Sequence, residues 1–403
     1  MKKMIIIGIS TIAVIALLFI GFVAFFYFSL NDSSASAPLY AGPVIPDAKQ
    51  HPVESRFNHA SKARDVVAGM DLTGKIVVIT GGHSGTGLEA TKALTGAGAT
   101  VIALARDVER SKARLKGIPN IEVEYVDLLK PGSIDAFAEK FVASGRPLHV
   151  LINSAGIMGT PLERDARGYE RQFATNVLGH YELTVKLMPA LVRANGARIV
   201  SLSSRGHRAG GVIFDDINFT HTEYTGMRAY AQTKTALVLL SIKLDELMKD
   251  RRVRAFAVHP GPVPSTDLFA AGKVGQSSSS TVALGRFTAA LARATHATEI
   301  LNWVRRPKNV GDRYKTVQQG GATTTWAAVS NDLDGKGGIY LEDCNIAVIV
   351  PDGSPAPFGV RPWALDKKSA DRIWTICEEM TGVRLSQQQS EPETMPDEAA
   401  LNL

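Results

Sequence analysis

"VVITGGHSGTGLEATKALTGAGA", residues 77–99, starts as a β-branched apolar run, passes through a glycine-rich turn and continues as a helical pattern. Without a side chain, Gly81, Gly85 and Gly87 let the backbone turn tightly and approach a pyrophosphate. The helix that follows offers amide donors and a partial positive charge to phosphates. Gly85 to Ala90 also fits G-x-G-x-x-G/A. Alone this pattern is weak, because helix N-termini recruit glycine for structural reasons; the strand–turn–helix context gives it weight.

Further along, short apolar runs alternate with helical stretches. "KIVVIT" (75–80), "TVIALA" (100–105), "IEVEYV" (121–126), "LHVLIN" (148–153), "ARIVSLS" (197–203) and "VRAFAVH" (253–259) read as six strands. Helices are expected over 85–97, from about 133, over 168–195 and over 228–250. Continuous apolar strands separated by helices imply a parallel sheet covered on both faces. The expected fold is therefore α/β, a Rossmann-type doubly wound sheet in one catalytic domain, with its ligand at the carboxyl ends of the strands.

The 403 residues are 45% hydrophobic and 21% charged, enough apolar material for a core. Net charge is +6, but the basic residues are scattered without interleaved aromatics, which argues against nucleic-acid binding. The two cysteines, Cys344 and Cys377, lie too far apart to suggest a metal motif and read as free thiols. No cluster has metal-ligand spacing, so no metal is expected. At the N-terminus, Met4 to Asn31 carries no charge. A helix crosses a bilayer with roughly 20 apolar residues, and a secretory core of about 7–15 would be shorter than this run. Pro38 after "ASA" (35–37) disfavours cleavage. Residues 4–30 thus read as an uncleaved anchor, 31–54 as a linker, 55–385 as the folded domain and 386–403 as a disordered tail. Lys2 and Lys3 precede the anchor and the next basic residue is Lys49, which would place the domain outside the cytoplasm. That orientation rests on two lysines, so the side of the membrane stays open.

The second strand ends Ala105–Arg106–Asp107. NAD sites usually place an acid there for the ribose hydroxyl. Here a guanidinium comes first, suited to pair with a 2′-phosphate, and His83 in the glycine loop could assist. NADP(H) is favoured over NAD(H). Tyr230 and Lys234 are four apart, on one face of a helix. Strand five delivers Ser203 or Ser204 to the sheet edge, strand four ends in "NSAG" (153–156), and Asn176 lies within the long helix between them. An ammonium beside a phenol lowers its pKa, so Tyr230 could exchange a proton with a carbonyl oxygen as hydride is transferred. Ser204 would hydrogen-bond that oxygen, Lys234 could also hold the nicotinamide ribose, and Asn176 would bridge through backbone or water.

These residues together resemble the short-chain dehydrogenase/reductase superfamily. The matching motifs, in the family's order, are "TGGHSGTG" (80–87), "DLL" (127–129), "NSAG", Asn176, Ser204, "YAQTK" (230–234) and "HPGPVPST" (259–266), within a likeness over about 55–350. "AGMDLTGKIVVITGG", "GYERQFATNVLGHYELT", "SSRGHRAG" and "GGIYLEDC" are similar to the branch of retinol dehydrogenases and WW-domain oxidoreductases, as is the 26-residue gap from Ser204 to Tyr230. The resemblance implies that Ser204, Tyr230 and Lys234 are catalytic and that Asn176 supports them. It implies cofactor contacts from Thr80, Gly81, His83, Ser84, Gly85, Thr86 and Gly87, and from Asp127 and Leu128 at the adenine. Asn153, Ala155 and Gly156 would line the cleft. Pro260, Gly261, Val263 and Ser265 or Thr266 would lie at the nicotinamide. Thr86 stands where the family usually has isoleucine.

The function expected is interconversion of an alcohol and a ketone or aldehyde, with a lipophilic substrate suggested only by analogy and the anchor. A C=C reduction is a third option. The competing reading is a catalytically inactive nucleotide-binding module tethered to a membrane for a partner protein. The substrate loop, about 265–306, shows no ionic clamp, and a homodimer is one option for the assembly.

Overall fold

The computed structural model describes residues 42–266 and 313–386, with Leu268, Thr298 and Asn302 between them. The expected anchor, the start of the linker, most of the substrate loop and all but the first residue of the expected tail lie outside the described residues. No helix among the described residues is long and apolar enough to cross a membrane.

Eight strands form one sheet: β1 (Ile76–Thr80), β2 (Thr100–Ala105), β3 (Ile121–Tyr125), β4 (Val150–Asn153), β5 (Ala197–Leu202), β6 (Val253–His259), β7 (Ile339–Glu342) and β8 (Asn345–Ile346). The order is β3-β2-β1-β4-β5-β6-β7-β8. All neighbours are parallel except β7 and β8, which pair as an antiparallel hairpin. Chain order reverses between β1 and β4, so a crevice opens at their carboxyl ends.

Period-two alternation divides the strands' side chains between two cores. Val78, Ile102, Leu104, Leu151 and Ile199 face one side. There they meet α3 (Pro131–Ala143), α4 (Arg171–Phe173, Ala174–Leu178 and Gly179–Lys186), α6 (Gly226–Met248) and α8 (Lys367–Thr381). Val77, Ile79, Val101, Ile152 and Phe256 face the other, against α1 (Gly85–Gly96), α2 (Val108–Leu115) and α7 (Val317–Val329). Cys377 and Cys344 are free and buried in these two opposite cores.

The long helix expected over 168–195 begins at Arg171, capped by Glu170, whose carboxylate accepts from Gln172 and Phe173 amides at 3.0 and 2.7 Å. This α4 comprises Arg171–Phe173, a π-helical segment Ala174–Leu178 and Gly179–Lys186. Pro189 near the start of α5 (Met188–Arg193) has no amide to continue the ladder, so the chain steps at Leu187.

The linker expected up to residue 54 is fastened to the domain from Ile45 onward. Ile45 N–H donates to Ile349 O at 2.9 Å. Gln50 is buried, donating to Tyr340 O and Ala347 O at 2.7 and 2.8 Å and accepting from Tyr340 N at 2.9 Å. One amide thereby clamps the Tyr340–Ala347 end of the β7–β8 hairpin, where Ala347 N also donates to Tyr340 O at 3.0 Å. Asn345 and Val53 exchange a further pair of hydrogen bonds. Segment 42–54 forms no helix or strand of its own.

Candidate active site

A cleft of about 1080 Å³ runs along the carboxyl ends of the strands. It begins at the glycine loop. Gly81 has φ +70°, and a Cβ there would lie 3.3 Å from the Ala155 Cα. A Cβ on Gly87 would lie 2.8 Å from Gly81 O. Both positions need glycine to let the loop nest against β4's "NSAG". Ser84 is extended and its hydroxyl does not cap α1, so the first-turn amides of α1 have no side-chain acceptor and can take an anion. The Nδ1 of His83 is buried without a partner among the described residues. A dinucleotide fits these features: a close-approach cradle, uncapped amides and an orphaned donor or acceptor. Thr86 also gains an account: its methyl rests where a Cβ on Gly320 of α7 would lie, at 2.6 Å, so a small residue on α7 receives it.

At the next strand end, Arg106, Arg110 and Arg114 all line the cleft. Burial first, then these three guanidiniums, hold His83 below its ordinary pKa. Asp107 spends its carboxylate as the N-cap of α2, accepting from Arg110 N at 3.0 Å. Arg110 and Arg114 were not anticipated. Their spacing of four from each other was the available signal, because i, i+4 residues share a helix face.

The side chains expected to be catalytic gather at β5 and α6. Of the two serines, Ser203 is buried and donates to Lys234 O at 2.7 Å. Ser204 accepts from Gly206 N at 3.0 Å, and its proximity to the Tyr230 phenol favours the phenolate, though less than burial disfavours it. A Cβ on Gly206 would lie 2.9 Å from Tyr230 Cε1, so the ring packs directly on this glycine. Lys234 Nζ donates to Leu202 O at 2.6 Å and sits 5.4 Å from the Tyr230 ring centroid. The sequence reading expects a phenol pKa lowered by the ammonium. In the structure burial dominates, pushing Tyr230 up to about 12 and Lys234 down to about 7. Asn176 does not line the cleft. Its side chain accepts from Ile157 N and donates to Ile157 O, both at 2.9 Å, and donates to Thr233 Oγ1 at 3.2 Å. It is a positioning residue, set in the π-helical segment.

Three buried histidines hold this assembly, and each has a fixed neutral tautomer. Thr80 Oγ1 accepts from Ser154 N and Ala155 N at 2.9 and 3.0 Å, so its one proton goes to His180 Nε2 at 2.9 Å. His180 Nδ1–H then donates to Asn176 O at 3.0 Å. His207 accepts from Arg361 N at Nε2, and so donates from Nδ1 to Ser204 O at 2.7 Å. His259 Nδ1 accepts from Arg205 N and Gly261 N at 3.2 and 3.3 Å. Burial lowers His180 to about 4 and His207 to about 3, and lowers His259 well below its ordinary value. The sequence reading assigned these histidines no role, since their partners lie up to 154 residues away.

Thr80, Gly81, His83, Ser84, Gly85, Thr86, Gly87, Arg106, Asp127, Leu128, Ala155, Gly156, Pro260, Gly261 and Val263 all line the cleft with Ser204, Tyr230 and Lys234. Two expected contacts do not. Asn153 turns its amide into the core, donating to Thr184 Oγ1 at 3.0 Å, because α4 packs behind the strand end. Ser265 is buried away from the cleft, and Thr266 faces it instead, its turn set by hydrogen bonds to Val263 O. Ser154, inside the expected 153–156 stretch, lines the cleft as well, and Arg208 and Arg361 line it unanticipated.

A parallel sheet with a glycine cradle at its switch point and a Ser–Tyr–Lys set across it defines a dinucleotide-dependent oxidoreductase fold. A family model described as short chain dehydrogenase matches residues 75–275. Mouse retinol dehydrogenase 12 is 30% identical over 325 residues, 78% of this chain and 89% of that protein. The human WW domain-containing oxidoreductase is 29% identical over 359 residues, 86% of this chain and 76% of that protein. A crystal structure of an uncharacterised protein from Mycobacterium paratuberculosis superposes with a TM-score of 0.59 at 25% identity, covering 81% of this chain and 99% of that one. The chain belongs to the short-chain dehydrogenase/reductase family, in the branch of these two named relatives.

Proposed function

We propose that this chain is a membrane-anchored, NADP(H)-dependent oxidoreductase that interconverts an alcohol and a ketone or aldehyde on a lipophilic substrate. The observation that carries the reading is that Ser204, Tyr230 and buried Lys234 all open on the cleft that holds the glycine cradle. Preference for the 2′-phosphorylated cofactor is supported by Arg106, Arg110 and Arg114 at the end of β2, where the acid is already used as a helix cap. The anchor rests on the uncharged run from Met4 to Asn31. The lipophilic substrate is supported by that anchor and by the name of the retinol dehydrogenase relative.

When bound, the nicotinamide supplies or accepts the hydride and its two electrons. The protein does the rest. Ser204 and Tyr230 hold the substrate oxygen between two hydroxyls. In reduction Tyr230 Oη passes its proton to that oxygen as the carbon gains hydride; in oxidation it takes the proton back. The charge of Lys234 favours the phenolate left behind, and Lys234 would also hold the nicotinamide ribose when the cofactor is bound. Asn176 and Ser203 keep α4 and α6 in register with the strand ends.

The test is NADPH consumption by the full chain over a panel of apolar ketones and aldehydes. Wild type is expected to turn over at least one, with Tyr230→Phe slower by about 10²–10⁴-fold. NADPH is expected to outcompete NADH, a preference that Arg106→Ala weakens. Equal inertness of wild type and Tyr230→Phe while both still bind NADPH would overturn the enzyme reading.

A further inference from the structure

Pro260, Gly261, Pro262 and Val263 follow β6 and line the cleft. Lys315 does not line it; the residue is buried behind them, just ahead of α7. Gly261 has φ +87°, a left-handed backbone that a side chain would strain. A Cβ there would lie 2.5 Å from Lys315 Cδ and 2.7 Å from Cε, so the lysine stem runs across the bare face of this glycine. Lys315 N–H donates to Pro262 O at 2.8 Å, and Gly261 N–H donates to His259 Nδ1 at 3.3 Å. One lysine and one histidine thus fix two consecutive residues of the cleft wall.

Beyond the stem, Lys315 Nζ pairs with Asp343 in the turn between β7 and β8. That turn is itself tied to α7, because Cys344 N donates to Thr323 Oγ1 at 3.2 Å. A buried ion pair adds little stability, since desolvation offsets the attraction. An apolar side chain of similar length would fill the same space. What the charge adds is a fixed end point, which keeps a flexible four-carbon stem on Gly261. The helix that Lys315 leads into also touches both ends of the cradle. A Cβ on Gly320 would meet Thr86 Cγ2 at 2.6 Å and Val263 Cγ2 at 2.7 Å.

We propose that Lys315 is a positioning residue for the nicotinamide. Its stem, pinned by Asp343, sets the wall from Gly261 to Val263, and through that wall the pose of the nicotinamide ring. The grip on the rest of the dinucleotide is independent of it. This rests on the expected placement of the nicotinamide at Gly261 and Val263. The competing role is a buried ion pair that holds the β7–β8 turn and nothing more.

The test is binding to the full chain. NADPH is followed by its own fluorescence, and 2′-phospho-ADP-ribose, which lacks the nicotinamide, by competition against it. Wild type should change the nicotinamide emission on binding. Lys315→Ala should weaken NADPH by about ten-fold and shrink that change, while affinity for 2′-phospho-ADP-ribose moves by less than about two-fold. Lys315→Arg keeps a stem and a charge and should restore much of the NADPH affinity. Should Lys315→Ala fail to fold, Asp343→Asn frees the stem and should show the same split to a smaller degree. Equal weakening of the two ligands makes Lys315 a structural strut and overturns the proposal, as do an unchanged NADPH affinity and emission. A wild type that binds both ligands equally, with no change in emission, removes the nicotinamide placement and the proposal with it.

Discussion

In the proposed reaction, Lys234 sets how good an acid Tyr230 can be. Its amine is pushed down to about 7 by burial, whereas the phenol sits near about 12, so the lysine titrates first as pH rises. Once Lys234 is neutral, the phenolate loses its nearby positive charge and Tyr230 becomes a weaker proton donor. For carbonyl reduction, kcat/KM is therefore expected to fall as pH rises through about 7. Lys234→Arg, which keeps its proton, should lower the rate but shift that limb out of range. A wild-type profile that stays flat across this region, with hydride transfer rate-limiting, would show that Lys234 does not titrate there. At this scale the sequence was informative wherever spacing alone fixes geometry. Tyr230 and Lys234 were legible because four residues make one helical turn. Ser203 against Ser204 was not settled, because the two point to opposite faces and only packing decides which meets the cleft.

The π-helical segment of α4 is the element on which the site is hung. It presents the Asn176 side chain to Ile157 and Thr233, and its backbone carbonyl to His180. His180 in turn ties this segment to Thr80 at the end of β1. Removing the imidazole strands a buried carbonyl and a buried hydroxyl, each costing roughly 1–3 kcal/mol. His180→Ala is expected to lower the denaturation midpoint accordingly and to reduce kcat at saturating cofactor, with His180→Gln recovering part of both. Unchanged kcat in a destabilised variant would leave His180 a purely structural strut. The six sequence-expected strands appear in place, because continuous apolar runs are an unambiguous signal for a covered parallel sheet. The π turn, β7–β8 and α7 were not legible. A π turn has no periodic signature, β8 is two residues long, and α7 reads as a run of small residues and threonines.

The whole domain carries an acid sensitivity in its neutral histidines. His180, His207 and His259 all have folded pKa values depressed below their unfolded value near 6.5. Below that pH the unfolded chain takes up protons that the folded chain refuses. Stability must then fall as pH drops from about 6.5 toward the folded values, and it is fully retained above 6.5. Each histidine adds a slope of up to about 1.4 kcal/mol per pH unit within that window. Urea denaturation at pH 7 and pH 5 should show the loss, and proton uptake on unfolding should be directly measurable between them. Equal stabilities at the two values would mean that these imidazoles are protonated in the fold.

The fastening of segment 42–54 has a mechanical consequence. Whatever precedes residue 42 is joined to the domain at Ile45, which bonds to Ile349. Ile349 also bridges to Val360, next to Arg361. The Arg361 amide meets His207, and His207 grips the carbonyl of Ser204. Tension on the leading strand of the polypeptide thus enters at the Ser204 end of the cleft, through four short links, and bypasses the glycine cradle.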